Sequence, residues 1–289
     1  MKKVSIQGIK GAFHEEAAKN YFKSEIEIVP NITFEDVIKS VEDLDSNVGI
    51  MAIENTISGT IHPNLNLIKH SGLKITGEVY QPIVQNLVAL PGTKIEDLNQ
   101  VTSHHMAINQ CREFLKEHPK WRLVESEDTA LSIQQIAKHR ICDVAAIGSK
   151  LAAEQYGLNI LAEGIETNKK NYTRFLILEK GQNKNIQELD KASLALTLPH
   201  TKGSLAIILN IVSFFNINLT KIESVPVIGE PWHYLFYIDI QFNSTENYKQ
   251  MLKALNPLVD KIQILGEYKS GIQSLNKIHT NQNETIEQN

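Results

Sequence analysis

The sequence predicts an α/β fold for most of the chain and a smaller α+β module after it. Over residues 1–180, short β-branched segments alternate with amphipathic helical segments, which is the pattern of open sheets built from βα units. A polar stretch, Glu179–Lys191, then has the composition of a linker. These observations predict one domain over 1–180, a second over 191–269 and a disordered polar tail over 270–289.

Within residues 1–180, apolar residues that recur every three or four positions predict helices, and short β-branched runs predict strands. The first group of elements is a strand at 4–9, a helix at 13–22, a helix at 34–44, a strand at 48–53 and a helix after Gly59. The second group has strands that begin near Ile75 and Val84, a helix at 106–116, a strand at 122–125, a helix at 129–139 and strands at 143–147 and 172–178. This grouping predicts two α/β lobes.

The second domain is predicted from the same two periodicities. Its strands are expected at 192–198, 218–225, 233–241 and 261–268, and its helices at 204–215 and 245–255. The resulting order, βαββαβ, is that of a small α+β domain.

The composition excludes several classes of partner. Lys and Arg total 29 against 33 Asp and Glu, a formal net charge of −4, so no basic face for nucleic acid is implied. No segment has the apolar length of a membrane span, and the N-terminus lacks the apolar core of a signal peptide, so we expect a cytoplasmic protein. Cys111 and Cys142 lack metal or redox spacing, and both are expected to be buried, reduced thiols.

Two segments of the first predicted lobe could bind a ligand. Gly8–Glu15 joins a strand to a helix start, where N–H groups could face an anion, although a tight connection alone would also explain its glycines. Ala52–Gly59 ends an apolar strand in Glu54, Asn55 and hydroxyl groups, at the strand end where ligands of open α/β sheets collect. Helix capping by Thr56 or Ser58 would explain only part of that cluster.

Two further segments lie in the second half of this domain. Thr102–His105 places polar groups between a strand and a helix; capping by Ser103 is the simpler interpretation, and the paired histidines lack partners at metal-ligand spacing. Asn171–Phe175 opens an apolar strand with Arg174, which needs an anion or a nearby Glu if it is buried. Because successive side chains of a strand point to opposite faces, Arg174 and its neighbour Thr173 are expected on opposite faces of that strand.

In this order and spacing, the four segments resemble the signatures of prephenate dehydratases. Asn171–Phe175, NYTRF, is similar to the family's Thr-Arg-Phe motif, Ile53–Thr56 resembles its Glu-Asn-Ser motif, and Ser103-His104 its Ser-His pair. The resemblance implies two α/β lobes like those of a type II periplasmic binding protein, with the active site in the cleft between them. It also implies a C-terminal ACT domain, since Gly203–Ala206 resembles a Gly-Ala-Leu turn and Glu223–Pro226 a Glu-Ser-Arg-Pro motif.

The resemblance implies the decarboxylative dehydration of prephenate to phenylpyruvate in L-phenylalanine biosynthesis, the reaction of a carbon–oxygen lyase that needs no cofactor and no metal. Thr173 is expected to donate to the leaving hydroxyl within a network that includes Asn55, Thr56 and Ser103, and Arg174 or the adjacent backbone is expected to hold the pyruvyl carboxylate. The substrate-binding residues implied in addition are Gly11, Ala12, Phe13, Glu54, His104, Asn171 and Phe175.

Regulation is implied by the ACT resemblance. L-Phenylalanine is expected to bind at ACT–ACT interfaces of a homodimer or homotetramer and to lower activity. The implied effector-binding residues are Gly203, Ser204, Leu205, Glu223, Ser224 and Pro226. Val225 stands where the family's motif has Arg, and His14 and Thr56 each stand where the family has Ser.

Two alternatives stay open at this point. Arogenate differs from prephenate only at the side chain, so the chain could be an arogenate dehydratase. A two-lobed cleft joined to an ACT domain could also be a non-enzymatic sensor of a small carboxylate. No chorismate mutase helices precede the first glycine turn, so a monofunctional protein is expected.

Overall fold

The computed structural model divides into two compact units. Unit 1 contains residues 1–60 and 80–175, and unit 2 contains residues 61–79 and those that follow 175. The residues that the structure describes are 1–181, 189–227, 229–230 and 232–271. Most of the predicted linker and nearly all of the predicted tail lie outside these residues, so the boundary within 179–191 stays a prediction.

Fifteen strands and nine α-helices are present in the described residues. The strands are Lys2–Gln7 (β1), Ile26–Asn31 (β2), Val48–Asn55 (β3), Gly59–Thr60 (β4), Leu73–Pro82 (β5), Asn86–Ala89 (β6), Gln100–His104 (β7), Arg122–Ser126 (β8), Val144–Gly148 (β9), Asn159–Ala162 (β10), Tyr172–Lys180 (β11), Lys191–Thr197 (β12), Asn218–Pro226 (β13), Tyr234–Gln241 (β14) and Lys261–Tyr268 (β15). The helices are Phe13–Phe22 (α1), Phe34–Glu42 (α2), His62–His70 (α3), His105–Gln110 (α4), Arg112–Lys116 (α5), Thr129–His139 (α6), Lys150–Tyr156 (α7), Ser204–Phe214 (α8) and Thr245–Leu255 (α9).

Unit 1 contains two groups of strands, and the predicted α/β class is confirmed. In the first group, β1 runs parallel to both β2 and β3, and Val4 aligns with Ile28 on one side and Val48 on the other. The second group is a five-stranded sheet in the order β10-β6-β9-β7-β8. The carboxyl ends of β1 and β3 and the N-termini of α1 and α2 meet at one edge, which is where ligands of such sheets bind.

Several predicted elements differ from the observed ones in ways that have a local cause. The helix expected at 106–116 is two helices, α4 and α5, interrupted at the fully buried Cys111, whose φ is −103°. The strand β2 was missed because its sequence, IEIVPN, mixes charged and apolar residues at a sheet edge and includes Pro30. The seven-residue helix α7 and the four-residue strand β10 are too short for a period to be detected.

Unit 2 contains the predicted βαββαβ order. Its strands β13, β14, β12 and β15 are antiparallel neighbours in that sequence, and a large apolar cluster includes residues of the sheet and of α8 and α9. The strand β15 also runs parallel to the first part of β5, where Gly266 aligns with Ile75. A Cβ at Gly266 would lie 2.1 Å from the Ile75 carbonyl oxygen, so only glycine allows this close approach.

The two cysteines differ in their environment. Cys111 is buried, as predicted, but Cys142 is exposed, so the prediction that both thiols are buried is wrong for Cys142. Cys142 lies in the short connection between α6 and β9, and connections of this kind usually run over the protein surface. Among the described residues, no helix combines the length and the apolar content needed to cross a membrane.

A buried ion pair fixes segment 61–79 within unit 2. The Lys191 ammonium lies 2.9 Å from both carboxylate oxygens of Glu78, and both side chains are almost fully buried. The Glu78 carboxylate also accepts hydrogen bonds from Gly271 N at 2.9 Å and from the Ser270 hydroxyl at 3.4 Å. Because buried charges are tolerated only when they are paired and hydrogen-bonded, this carboxylate holds three distant parts of the chain together.

Lys191→Met is expected to lower the free energy of unfolding by about 3–5 kcal/mol, since it leaves the Glu78 carboxylate buried without its cation. Replacement of both partners, with Lys191→Met and Glu78→Leu, removes the uncompensated charge and is expected to cost less than the single change. Urea unfolding of the wild type and both variants measures the difference. A double variant less stable than Lys191→Met would contradict this account of the pair.

Candidate active site

The glycine turn between β1 and α1 is shaped by close packing inside unit 1. Gly11 has a φ of +90°, and a Cβ at this position would lie 2.8 Å from Ala152 of α7. The Gly11 carbonyl accepts a hydrogen bond from the Ser149 hydroxyl at 2.6 Å, and its N–H donates to the Glu15 carboxylate at 2.7 Å. The Gly11 N–H is therefore already used within the protein, which favours the tight-connection interpretation of these glycines.

Asn55 ends β3 and joins it to β11. Its side-chain carbonyl accepts hydrogen bonds from the backbone N–H groups of Ile57 and Ser58, each at 2.9 Å. Its amide group donates to the Asn171 side-chain carbonyl at 2.8 Å and to the Thr173 hydroxyl at 3.0 Å. Because the loop holds the carbonyl, the amide group can only point toward β11.

The Thr173 hydroxyl is oriented by this contact. Its oxygen accepts the hydrogen bond from Asn55, so the hydroxyl proton must point elsewhere. No acceptor for that proton is found among the described residues, and the side chain is about 8% exposed. Thr173 therefore presents an unused donor at a nearly dry position.

Thr56 connects the same two strands through a different set of bonds. Its hydroxyl donates to the Lys170 carbonyl at 2.9 Å and accepts from the Tyr172 N–H at 3.0 Å. Its own N–H donates to the Tyr172 carbonyl at 2.9 Å. Thr56 thus holds the start of β11 next to Asn55 rather than bonding to Thr173.

Side-chain amides continue the contact from Asn55 into the second sheet of unit 1. Asn171 donates to the Gln110 side-chain carbonyl at 2.9 Å, and Gln85 donates to the same oxygen at 3.2 Å. We call Thr173, Asn55, Asn171, Gln110 and Gln85 the amide network. Sequence reasoning placed Gln110 only on a helix and missed Gln85, because an isolated glutamine beside a short strand carries no recognisable signal.

Arg174 lies on the face of β11 opposite to Thr173, as strand alternation predicts. It is about 4% exposed, and its guanidinium lies 3.6 Å from the Glu54 carboxylate. Of the two interpretations open from sequence, pairing with a nearby Glu is therefore present. Glu54 and Asn55 are consecutive in β3, so the ion pair and the amide network lie side by side on neighbouring strands.

The Ser-His pair occupies the end of β7 in the second sheet. Ser103 is fully buried and donates to the Ile147 carbonyl of β9 at 2.6 Å. Among the described residues it makes no direct hydrogen bond to Asn55 or Thr173, and its expected membership of their network stays a prediction. The helix cap predicted for Ser103 is made instead by His104, whose ring nitrogen accepts from Met106 N at 3.3 Å, and burial lowers the His104 pKa.

The first motif contributes an imidazole to the same region of unit 1. His14 packs edge-on against Phe175, with ring centroids 4.9 Å apart, and also contacts Phe34. Its Nε2 atom is buried with no partner among the described residues, and burial lowers the His14 pKa to about 4. The ring is therefore neutral near pH 7. Phe13 is half-buried and Ala12 is buried beside it at the start of α1.

Glu16 of α1 is a carboxyl group with a strongly altered proton affinity. Burial raises its pKa to about 7, against hydrogen bonds from Leu151 N and Gln81 that favour the ionised form. The Gln81 amide lies 3.0 Å from the carboxylate. Because Leu151 belongs to the start of α7, Glu16 connects α1 to the second half of unit 1.

The chain is similar to known prephenate dehydratases. The family model for prephenate dehydratase matches residues 4–183. The chain is 32% identical over 274 residues to a bifunctional chorismate mutase/prephenate dehydratase of Escherichia coli strain K12, with 93% of this chain and 71% of that protein covered. It is 35% identical over 283 residues to the arogenate dehydratase/prephenate dehydratase 2 of Arabidopsis thaliana, with 92% and 72% covered.

A solved structure extends the comparison to nearly the full chain. The prephenate dehydratase of Arthrobacter aurescens in complex with L-Phe superimposes with a TM-score of 0.83 at 26% identity, and 99% of each chain is covered. The similarity therefore includes the βαββαβ part of unit 2, beyond the range of the family model.

Glu16→Gln is expected to change the pH dependence of stability. The folded-state pKa of about 7 lies above the ordinary value of 4.5, so the folded protein keeps a proton that the unfolded chain loses between these pH values. The contribution of Glu16 to the free energy of unfolding is thus present below pH 4.5 and falls as the pH rises toward 7. Glu16→Gln lacks the titrating carboxyl, so its free energy of unfolding is expected not to show this decrease.

Urea unfolding at several pH values between 5 and 8 measures the two slopes, with Glu35→Gln on an exposed position of α2 as the matched control. Equal slopes in the wild type and Glu16→Gln would show that the Glu16 carboxyl is not protonated in the folded protein.

Proposed function

The chain belongs to the prephenate dehydratase family, and we propose that its amide network directs the conversion of prephenate to phenylpyruvate in L-phenylalanine biosynthesis. The observation that carries this proposal is the 3.0 Å hydrogen bond from the Asn55 amide to the Thr173 hydroxyl. It leaves the Thr173 proton available to a substrate. A cytoplasmic location is part of the proposal, because an exposed free thiol such as Cys142 persists in a reducing compartment.

The reaction requires a donor, an anion-holding site and a dry environment. The ring hydroxyl of prephenate leaves as water when it takes up one proton, the ring carboxylate leaves as carbon dioxide, and its bonding electrons complete the aromatic ring. Aromatisation supplies the driving force, so the protein has to assist departure of the hydroxyl and keep the departing carboxylate poorly solvated. The near-complete burial of Thr173, Asn55 and Asn171 supports such a setting.

Thr173 acts in this proposal as an oriented donor. A threonine hydroxyl is too weak an acid to titrate, but a fixed donor aimed at a leaving oxygen stabilises the charge that develops there. Asn55 sets its direction by occupying the Thr173 oxygen. The proton that leaves with the water comes from solvent through this hydroxyl, and the hydroxyl is reprotonated in the same step.

Arg174 has a positioning role in this proposal. Its guanidinium lies on the opposite face of β11 and pairs with Glu54, so it holds the ends of β3 and β11 in register beside Thr173. The pyruvyl carboxylate is then held at the start of α1 by the Phe13 N–H, since the neighbouring Ala12 N–H already donates to the Ile9 carbonyl at 3.1 Å. Gly11, Ala12, His104, Asn171 and Phe175 are further proposed substrate contacts.

Arogenate is the second candidate substrate. The Arabidopsis relative is named for activity on both compounds, and the two substrates differ only at the side chain. Rates on prephenate and arogenate measured side by side distinguish the two. The sensor alternative is set aside, because the chain belongs to a family of enzymes.

The βαββαβ part of unit 2 is proposed as an ACT regulatory domain that binds L-phenylalanine. A cavity of about 140 Å³ lies beside the Gly203 turn, and it is lined by residues that include His200, Ser204, Leu205, Trp232 and His233. Aromatic and imidazole side chains suit an amino acid with an aromatic ring and a carboxylate. The Arthrobacter protein was solved with L-Phe, which supports the choice of effector.

The second part of the proposed effector site is the Glu223–Pro226 segment of β13. Glu223 lies 3.3 Å from the Lys221 ammonium and 3.8 Å from the His62 ring, all within unit 2. Ser224 and Pro226 are exposed on the strand. Since Val225 replaces an arginine, the carboxylate of the effector is assigned to the imidazoles His200 and His233, while Glu223 would receive its ammonium.

A homodimer or homotetramer is proposed from the surface of unit 2. Helix α8, SLAIILNIVSF, is apolar almost all round, yet Ile207 is 49% and Phe214 is 83% exposed. A helix of this kind is normally buried on all sides. Strand β13 lies at the edge of its sheet in the described residues, and an edge strand can pair with a strand of another chain. A second copy that pairs along this edge would cover both features.

Thr173→Ala is expected to lower kcat on prephenate by about a hundredfold, because removal of one transition-state donor typically has this effect. Thr173→Ser keeps the hydroxyl and is the matched control, expected to retain most of the turnover. Formation of phenylpyruvate followed by absorbance gives kcat, and unfolding midpoints confirm that both variants fold. Near-normal turnover of Thr173→Ala would remove Thr173 from the reaction.

L-Phenylalanine is expected to lower the rate and to change the fluorescence of Trp232, which lines the proposed effector cavity. Trp121→Phe leaves Trp232 as the sole tryptophan of the chain, and D-phenylalanine is the control ligand. A titration that follows rate and fluorescence together tests both effects. If L-phenylalanine changes neither signal, the proposed regulation is wrong, whereas the dehydratase activity is unaffected by that result.

A further inference from the structure

Gln85 occupies a rigid position between β5 and β6, and the side chain is about 3% exposed. Its backbone N–H donates to the Glu166 carboxylate at 2.9 Å, and its backbone carbonyl accepts from Ile165 N at 2.7 Å. The backbone is thus held on both sides by one neighbouring segment. The only freedom left to Gln85 is the orientation of its side chain.

The Gln85 side chain determines which way the Gln110 amide faces. Gln110 has one carbonyl oxygen, and it accepts from the Gln85 amide at 3.2 Å and from the Asn171 amide at 2.9 Å. Rotation of the Gln110 amide by half a turn would bring its NH₂ group against these two donors. Because the Gln85 and Asn171 amides both donate to the Gln110 oxygen, the Gln110 NH₂ group points away from these two residues.

The Gln110 NH₂ group is a second unused donor of the amide network. It has no hydrogen-bond partner among the described residues and is not among their fully buried unpaired atoms. Thr173 is bonded to Asn55, Gln110 to Asn171, and Asn55 to Asn171, so the two unused donors belong to one connected set. Asn55 bonds to the Thr173 oxygen, and Asn171 and Gln85 bond to the Gln110 oxygen. In each case these bonds set the direction of the unused donor.

The Gln85 side-chain carbonyl indicates that this residue does more than fill space. Its side-chain carbonyl oxygen is buried without a partner in the described part of the chain. An unpaired buried acceptor costs free energy, and an apolar side chain of the same size would avoid that cost. The glutamine therefore contributes through its NH₂ group, and that group is aimed at Gln110.

We propose that Gln85 is a positioning residue for the dehydration: it fixes the Gln110 side-chain amide so that the Gln110 NH₂ group faces the substrate as a donor beside Thr173. This inference rests on the proposed dehydratase function. Gln85 itself touches neither the substrate nor the leaving group. Its effect on the rate passes through Gln110.

Gln85→Glu tests the proposal with almost no change in shape. The new carboxyl group is buried, so its pKa is raised above that of an exposed Glu. When it is protonated it can donate to the Gln110 oxygen, and when it is ionised it repels that oxygen and favours the rotated amide. Relative to the wild type, kcat on prephenate is therefore expected to be about tenfold lower near pH 8.5 and to recover toward pH 5.5.

Two further variants separate positioning from general damage. Gln85→Leu lacks the donor at every pH and is expected to be about tenfold slower than the wild type without recovery at low pH. Gln134→Glu introduces the same carboxyl on α6, where Gln134 bonds to Tyr156 rather than to the amide network, and its pH profile is expected to follow the wild type. KM is expected to change less than kcat in both Gln85 variants.

The outcomes distinguish this inference from the proposed function. An active wild type together with a Gln85→Glu profile parallel to that of Gln134→Glu would overturn the positioning role and leave the dehydratase function intact. A wild type without activity on prephenate or arogenate would overturn the proposed function itself. If Gln85→Leu has wild-type kcat at all pH values, the Gln85 donor has no part in the reaction.

Discussion

The side chain of Asn55 is the contact on which the rest of the site depends. Its carbonyl is held by two backbone N–H groups of its own loop, and its amide reaches across to β11. A side-chain amide has one acceptor end and one donor end, so a loop that holds one end fixes the direction of the other. The orientations of Asn171 and Thr173 follow from this direction, and Gln85 fixes the far end of the same network through Gln110.

The groups around this contact are mostly neutral, and this has a physical consequence. Amides and hydroxyls make up the amide network, burial keeps His14 unprotonated near pH 7, and the guanidinium of Arg174 is paired with Glu54 on the other face of the strand. Hydrogen bonds between neutral groups are strengthened when water is excluded, whereas an unpaired charge there would be costly. A carboxylate in such an environment is poorly solvated, so dispersal of its negative charge as carbon dioxide leaves is favoured.

The path of the chain connects the proposed catalytic and regulatory parts covalently. The chain passes from one unit to the other after Thr60, Val79 and Phe175. Each of these points lies within six residues of a member of the amide network. Inside unit 2, the Glu78–Lys191 pair anchors the segment between two of the crossings. Segment 61–79 is therefore linked covalently, at both of its ends, to backbone adjacent to the amide network.

The sequence by itself determined the local elements and the order of the motifs. The bounds of α1, α6, α9 and β15 follow from periodicity, because a period records which face of a single element is buried. Asn55, at the end of an apolar strand, and Thr173, at the start of another, stand out as polar groups, and their expected roles follow from the resemblance of their motifs. Only the tertiary structure decided which of these groups meet: Asn55 bonds to Thr173 across 118 positions, Ser103 bonds to Ile147 instead, and Gln85 and segment 61–79 gain their roles from distant partners. Strand pairing and side-chain rotamers determine such contacts, and neither can be predicted from the hydrophobic periodicity of a single segment.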